Sequence, residues 1–232
     1  MVKISWSKLE LFKECPRCFY YDVKLKVRRP SSDLLTFYNS VDASMKSEMD
    51  HCRASNTIPE VISQHDHPYR LSNHPRIGEW RSISQGLKFN WSDDIVLLGL
   101  IDDLWEDERG KFVVVDFKST VSQNTMQKLP PWHEKMQRQL SFYAYLFMKN
   151  GFDVHPKGVI FYVIGQTGKN GLFGKMNFDY QLFELPIETG WIENTVKDAI
   201  GILEDSIIPK HSSKCPFCTF EMGRGLKSEK ID

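Results

Sequence analysis

The chain has 232 residues, 41% hydrophobic and 26% charged, the balance of an ordinary globular domain with enough apolar material for a sizeable core. Its 30 basic and 30 acidic residues cancel. That removes the strongly basic footprint of many nucleic-acid-binding domains but leaves room for a local contact patch. No run approaches the roughly 18 apolar residues of a membrane helix and the N-terminus lacks a signal-peptide pattern, so a cytoplasmic protein is expected.

Ser5 to Glu14 reads as a short amphipathic helix, with Ser7 as N-cap and Glu10 completing a capping box. It runs into Cys15-Pro16-Arg17-Cys18 and then Phe19-Tyr20-Tyr21. The basic run Lys24, Lys26, Arg28 and Arg29 is either a solvated face or a contact for a phosphate backbone. Asp42 to Ala54 is expected to be a helix with Val41, Met45 and Met49 on one side, where His51 and Cys52 are ordinary helix residues. From Asn56 to Ser92 the chain is polar and proline-containing. Its His65, His67 and His74 fit no metal-binding spacing and read as loop residues, and Leu87 to Trp91 reads as a strand.

The most informative stretch runs from Val96 to Thr120. Val96 to Trp105 and Phe112 to Phe117 are apolar and β-branched apart from Asp102, Asp103 and Asp116, and the polar run between them contains Gly110. This is a hairpin signal. With Glu108-Arg109-Gly110 as the loop, Trp105 pairs with Val113 and Asp102 with Asp116. Directly opposed residues have Cβ atoms roughly 4.5–5.5 Å apart, so the two carboxylates repel unless something positive lies between them. Lys118, two residues past Asp116, shares its face. One reading is a divalent cation on Asp102 and Asp116 with Lys118 beside the water or phosphate, since Mg²⁺ typically takes one or two carboxylates and leaves its other positions to water and phosphate. The other is a surface hairpin with solvated charges. Strands this apolar are usually buried on both faces, and buried charges need partners or a metal, which favours the first.

Ser119 to Lys135 is a polar connection containing Pro130-Pro131-Trp132, placed to act as a lid over a substrate. Glu134 to Asn150 is a clear helix: Leu140, Tyr143, Ala144 and Phe147 form one stripe, Gln139 and Tyr143 share a face, and Asn150-Gly151 ends it. Gly158 to Ile164 reads as a central strand, Gly165 to Gly174 as a loop, Met176 to Leu185 as a strand and Trp191 to Leu203 as a helix, with a frayed polar tail from Gly223. Cys215-Pro216-Phe217-Cys218 is the second C-x-x-C pair, some two hundred residues after Cys15 and Cys18. Four thiolates of that kind hold either zinc or an iron–sulfur cluster and would clasp the two ends of the chain.

Taken in order, these segments resemble the PD-(D/E)XK nuclease superfamily, and within it the RecB-like branch that includes the CRISPR-associated exonucleases. Gly-Leu-Ile-Asp102 and Val-Val-Asp116-Phe117-Lys118 match the acid and D-x-K motifs, Gln139 to Tyr143 matches a Q-x-x-x-Y motif, and the Cys-Pro-Arg and terminal cysteines match the branch's cluster positions. The resemblance implies an α/β fold: a restriction-endonuclease-like core, its mixed central sheet flanked by helices. It implies one RecB-like nuclease domain over 1–232, its core at about 30–205, with a cysteine-clasped lobe from about 1–25 and 206–225. The implied activity is a Mg²⁺- or Mn²⁺-dependent DNA exonuclease acting on single strands or ends. Asp102, Asp116, Lys118, Gln139 and Tyr143 would be its catalytic residues, with Asp42 and the Phe117 carbonyl joining the two acids as ligands. Cys15, Cys18, Cys215 and Cys218 would hold a [4Fe-4S] cluster, with Zn²⁺ as the alternative; relatives split their cysteines one and three where this chain has two and two. DNA is the implied partner, beside a CRISPR integrase or a repair complex. A non-catalytic nucleic-acid-binding or assembly module of the same fold is the competing reading.

Overall fold

The computed structural model describes residues 1–30, 36–64, 67–122, 128–131, 133–166 and 176–228. His65, Trp132 with the lid expected of it, and most of the Gly165–Gly174 loop lie outside those residues. In chain order the elements are β1 (Val2–Ser5), α1 (Trp6–Glu14), α2 (Pro16–Val23), α3 (Thr36–Ser55), α4 (Glu60–Gln64), β2 (Arg70–Leu71), α5 (Ile77–Arg81), β3 (Leu87–Asn90), β4 (Ile95–Gly99), β5 (Asp103–Glu106), β6 (Phe112–Ser122), α6 (His133–Lys149), β7 (Lys157–Gln166), β8 (Asn177–Pro186), α7 (Ile192–Glu204) and α8 (Pro216–Ser228). None of these helices is long and apolar enough to cross a membrane. The chain divides into two compact units: Met1–Ser32, Asn90–Leu97 and Gly190–Asp232 form one, and Asp33–Phe89 with Leu98–Thr189 form the other.

The second unit is built on a five-stranded mixed sheet in the order β2-β5-β6-β7-β8, the mixed α/β architecture expected from the motifs. β5 and β6 form an antiparallel hairpin with Asp103 opposite Val115 and Trp105 opposite Val113. Gly110 takes a left-handed φ of +76° in its turn, a conformation that costs glycine least. β6 and β7 are parallel, with Asp116 beside Ile160 and Lys118 beside Tyr162. A parallel pair needs a crossover connection, and α6 lies on it. Alternation then sorts the side chains. Val113, Val115, Phe117, Phe161 and Val163 pack with Met45 and Met49 of α3 in one core cluster. Val114, Asp116 and Lys118 point to the opposite face, where Leu140 of α6 closes against Gly158.

The apolar run Val96–Trp105 is two strands, not the single strand expected. It breaks at Leu100–Asp102, where the Ile101 amide turns to the Trp80 carbonyl at 3.4 Å and its side chain is buried. Burial of the side chain and this diverted bond replace the ladder there.

In the first unit β1 lies beside β4, and Trp6 of α1 meets Trp191 edge-on. The expected capping box is not formed: α1 starts at Trp6 after Ser5, which leaves Ser7 inside the helix with its hydroxyl 2.9 Å from that of Ser5. Cys15, extended at φ −161°, separates α1 from α2, and Pro16 opens the new helix, the position where a missing N–H is harmless. Pro216 opens α8 in the same way, and α8 continues through Ser228 where a frayed tail was expected.

Candidate active site and cysteine site

Asp116 is the one acid in the apolar run of β6, and its residue is 1% exposed. Its polar partner is the Lys118 ammonium, in an ion pair with Oδ2, and no backbone amide donates to either oxygen. Burial pushes its pKa up to about 7, with Asp102 adding to the rise and Lys118 opposing it. Burial also works against the charge on Lys118, but Asp116 and Asp102 outweigh it and hold the ammonium above its ordinary range.

Asp102 sits just before β5, where the ladder has ended. The Phe117 amide, which a longer β5 would bond, donates instead to Asp102 Oδ2 at 2.9 Å. N–H and C=O of one strand residue point to the same side, so the Phe117 carbonyl faces this gap too; Lys118 Nζ reaches it at 3.4 Å. The second oxygen of Asp102, Oδ1, is 2.8 Å from Lys46 Nζ on α3. Lys46 also lies 2.8 Å from Asp42 Oδ2, one helical turn earlier. Asp42 is therefore linked to Asp102 through a lysine. Glu79 is in an ion pair with Arg76 at 2.8 Å.

From α6, Gln139 Nε2 donates to the Tyr143 hydroxyl at 3.3 Å. Burial raises the Tyr143 pKa, and the charges of Asp116 and Asp102 add to it, which places the phenol beside both acids. Gly99 makes room for this ring: a Cβ there would stand 3.0 Å from Tyr143 Cδ1 and 2.8 Å from Leu146 Cδ1. The structure thus brings together Asp102, Asp116, Lys118, Phe117, Gln139 and Tyr143, with Asp42 joined at one remove. Lys46 is the site residue missed from the sequence; its only local signal is the i, i+4 spacing from Asp42. The donor set suits a hard divalent cation: one carbonyl and two acids, one of them a buried carboxylate with a single lysine as its partner.

Asp103, adjacent in sequence, has a different role. It is fully buried and takes an ion pair from Arg53, Arg81 Nη2 at 2.6 Å, its own strand's Leu104 amide at 2.8 Å and Trp105 Nε1 at 3.2 Å.

In the first unit the four cysteines converge. Cys15, Cys18, Cys215 and Cys218 are free thiols whose sulfurs all lie within 4.8 Å of one another. Three of the separations are 3.8 Å (Cys15–Cys218), 3.6 Å (Cys18–Cys215) and 3.5 Å (Cys18–Cys218). Each C-P-x-C motif places its first cysteine just before a helix and its second in the first turn, where the helix dipole favours negative charge. Burial raises the Cys215 pKa, but the Cys218 amide and the neighbouring thiols bring it down to about 7. Arg29, from the basic run, belongs to this site. Its Nη2 donates to Cys215 Sγ at 3.5 Å, its guanidinium stacks 4.7 Å from the Phe217 ring centre, and Glu14 holds it at 2.8 Å.

Fold and site together define a class: a mixed α/β sheet that carries a buried acid, a half-buried one and a lysine, a set suited to a hard cation. The sequence profile of the PD-(D/E)XK nuclease superfamily matches residues 3–222. The chain belongs to that superfamily, whose members are generally metal-dependent nucleases acting on nucleic acid. Among solved structures, the crystal structure of SSO0001 aligns with 95% of this chain and 84% of its own, at 16% identity and a TM-score of 0.39. No curated protein matches the chain.

Proposed function

We propose that the protein is a Mg²⁺- or Mn²⁺-dependent DNA exonuclease of the RecB-like branch, hydrolysing phosphodiester bonds at single-stranded DNA or DNA ends. The observation that carries this reading is Asp116, a buried carboxylate with the Lys118 ammonium as its partner and Asp102 near enough to raise its pKa. Asp102, Asp116 and the Phe117 carbonyl would hold the cation. When bound, it would supply Lewis-acid stabilisation of the phosphate and an acidified water.

The remaining chemistry belongs to the chain. Lys118 keeps its proton, so its ammonium offsets charge growing on the phosphate and orients the attacking water. Gln139, steadied by the Tyr143 hydroxyl, presents its amide to the substrate strand. Tyr143, held protonated by burial and by the charge of the two acids, remains a hydrogen-bond donor. The RecB-like motifs support a place in DNA-end processing, in CRISPR adaptation or repair, beside an integrase or repair complex in the cytoplasm. A non-catalytic binding module of this fold would have no use for an intact acid–acid–lysine set.

The test is cleavage of end-labelled single-stranded and duplex oligonucleotides with Mg²⁺ or Mn²⁺. Asp116→Ala should reduce cleavage to background with the fold unchanged; retained cleavage would remove the proposal.

For the cysteine site we propose one tetrahedral zinc ion. Zn–S bonds near 2.3 Å give sulfur–sulfur edges of about 3.8 Å, close to the separations found. Four irons between the same sulfurs would need them further apart. The [4Fe-4S] cluster implied by the resemblance is the second reading. Metal analysis and an absorption spectrum of anaerobically purified protein decide: about one zinc and no colour is expected, and a brown sample with about four irons per chain would overturn it.

A further inference from the structure

Asp102 and Asp116 are both site acids, but their oxygens are not equally available. Asp116 has only the Lys118 ion pair. Asp102 has both oxygens engaged: Oδ2 with the Phe117 amide at 2.9 Å and Oδ1 with Lys46 at 2.8 Å. A hard cation binds through carboxylate oxygens, and an ammonium on Oδ1 competes with it there by charge and by space, so the two acids share one most readily when Lys46 gives up Oδ1. A receiving group is already in place, because Asp42 Oδ2 lies at the same 2.8 Å from the same nitrogen. Asp42 is also the outer of the two acids, its side chain 38% exposed against 20% for Asp102. Without the metal, the two acids disfavour each other's charge, and Lys46 together with Lys118 balances what charge they carry.

We infer that Lys46 is a positioning residue that stands in for the metal: it holds Asp102 in the metal-free protein and passes its ammonium to Asp42 when a divalent ion takes Oδ1. This rests on the metal-site reading above. It gives Asp42 the role of receiving a lysine, distinct from that of a direct ligand.

The experiment is calorimetric titration of the full chain with Mn²⁺, counting the binding that Asp116→Ala removes. Lys46→Met removes the competitor and should tighten Mn²⁺ binding by roughly five- to tenfold, within the usual range of coupling between two bound groups. A merely structural role for Lys46 predicts weaker binding. Asp42→Asn should weaken binding, since Lys46 then has only Asp102 to hold, and should have no effect in the Lys46→Met background, as a double-mutant cycle requires. Should Lys46→Met fail to fold by circular dichroism, Lys46→Gln carries the same expectation. Binding unchanged or weaker in the lysine variant overturns the inference, and so does an Asp42→Asn loss that persists without Lys46. Wild-type protein with no Asp116-dependent Mn²⁺ binding overturns the metal-site reading, and this inference with it.

Discussion

Asp103 and Asp116 are buried carboxylates on adjacent strands of one sheet, and their surroundings could hardly differ more. Asp103 is held by two arginines, an amide and an indole, and Asp50 ties both arginines again, at 2.9 and 2.7 Å. Asp116 has a single lysine and no backbone amide. A buried charge must be compensated. Where the chain supplies every partner, the charge is architecture; where it supplies a single lysine, the carboxylate stays open to a partner from outside. The contrast separates two acids that composition and burial alone would treat alike.

The largest expected stability effect comes from breaking the satisfied acid. Asp103→Asn leaves Arg53 and Arg81 without their buried counter-charge and should cost about 3–5 kcal/mol, a fall in Tm on the order of ten degrees for a chain this size. A loss under about 1 kcal/mol in denaturant titration, the range of exposed pairs, would show that the arginines find other partners and that the contrast is false. Asp116→Ala, measured in the same way without added divalent ion, should leave stability unchanged or raise it, because it removes one of two repelling acids. A large loss there would turn Asp116 into a second structural acid.

The smallest effect is on pH dependence. Folded Asp116 keeps its proton to about pH 7, whereas an unfolded aspartic acid loses it near 4. Between about pH 4 and 7 the native state binds the extra proton, so this group's contribution to stability falls as pH rises through that window. Lys118, its pKa raised, contributes a stability that is lost only above the ordinary lysine range, outside the window. Thermal melts of metal-free protein should show a decline toward neutral pH that Asp116→Ala flattens; the same slope in both proteins would place the shifted group elsewhere.

The hairpin and its register were legible because they rest on local signals: β-branched alternation, one glycine able to turn left-handed, and an acid two residues from a lysine. The α6 stripe and the two C-P-x-C motifs were legible for the same reason. The break at Leu100–Asp102 was not, since the run stays apolar while one amide diverts to Trp80, a bond that no neighbouring residue announces. Lys46 and Arg53 were missed, and Arg29 was read only as part of a basic run, because each is an ordinary surface-type residue in its own segment. Each finds its partner at a distance in sequence: Asp102, Asp103 and Cys215. Capping chemistry misled at the start of α1, where Ser5 and Ser7 were both available and the backbone chose the earlier one.

Gly99 and Tyr143 carry a consequence for how such a chain can diverge. With a Cβ at position 99 set to collide with the ring at 143, the two positions are not free to drift separately. A descendant that gains a side chain at 99 must displace Leu146 and push the ring at 143 by a few tenths of an ångström, and with it the hydroxyl that steadies Gln139. The pair should therefore change together or stay fixed across relatives, as residues in contact do.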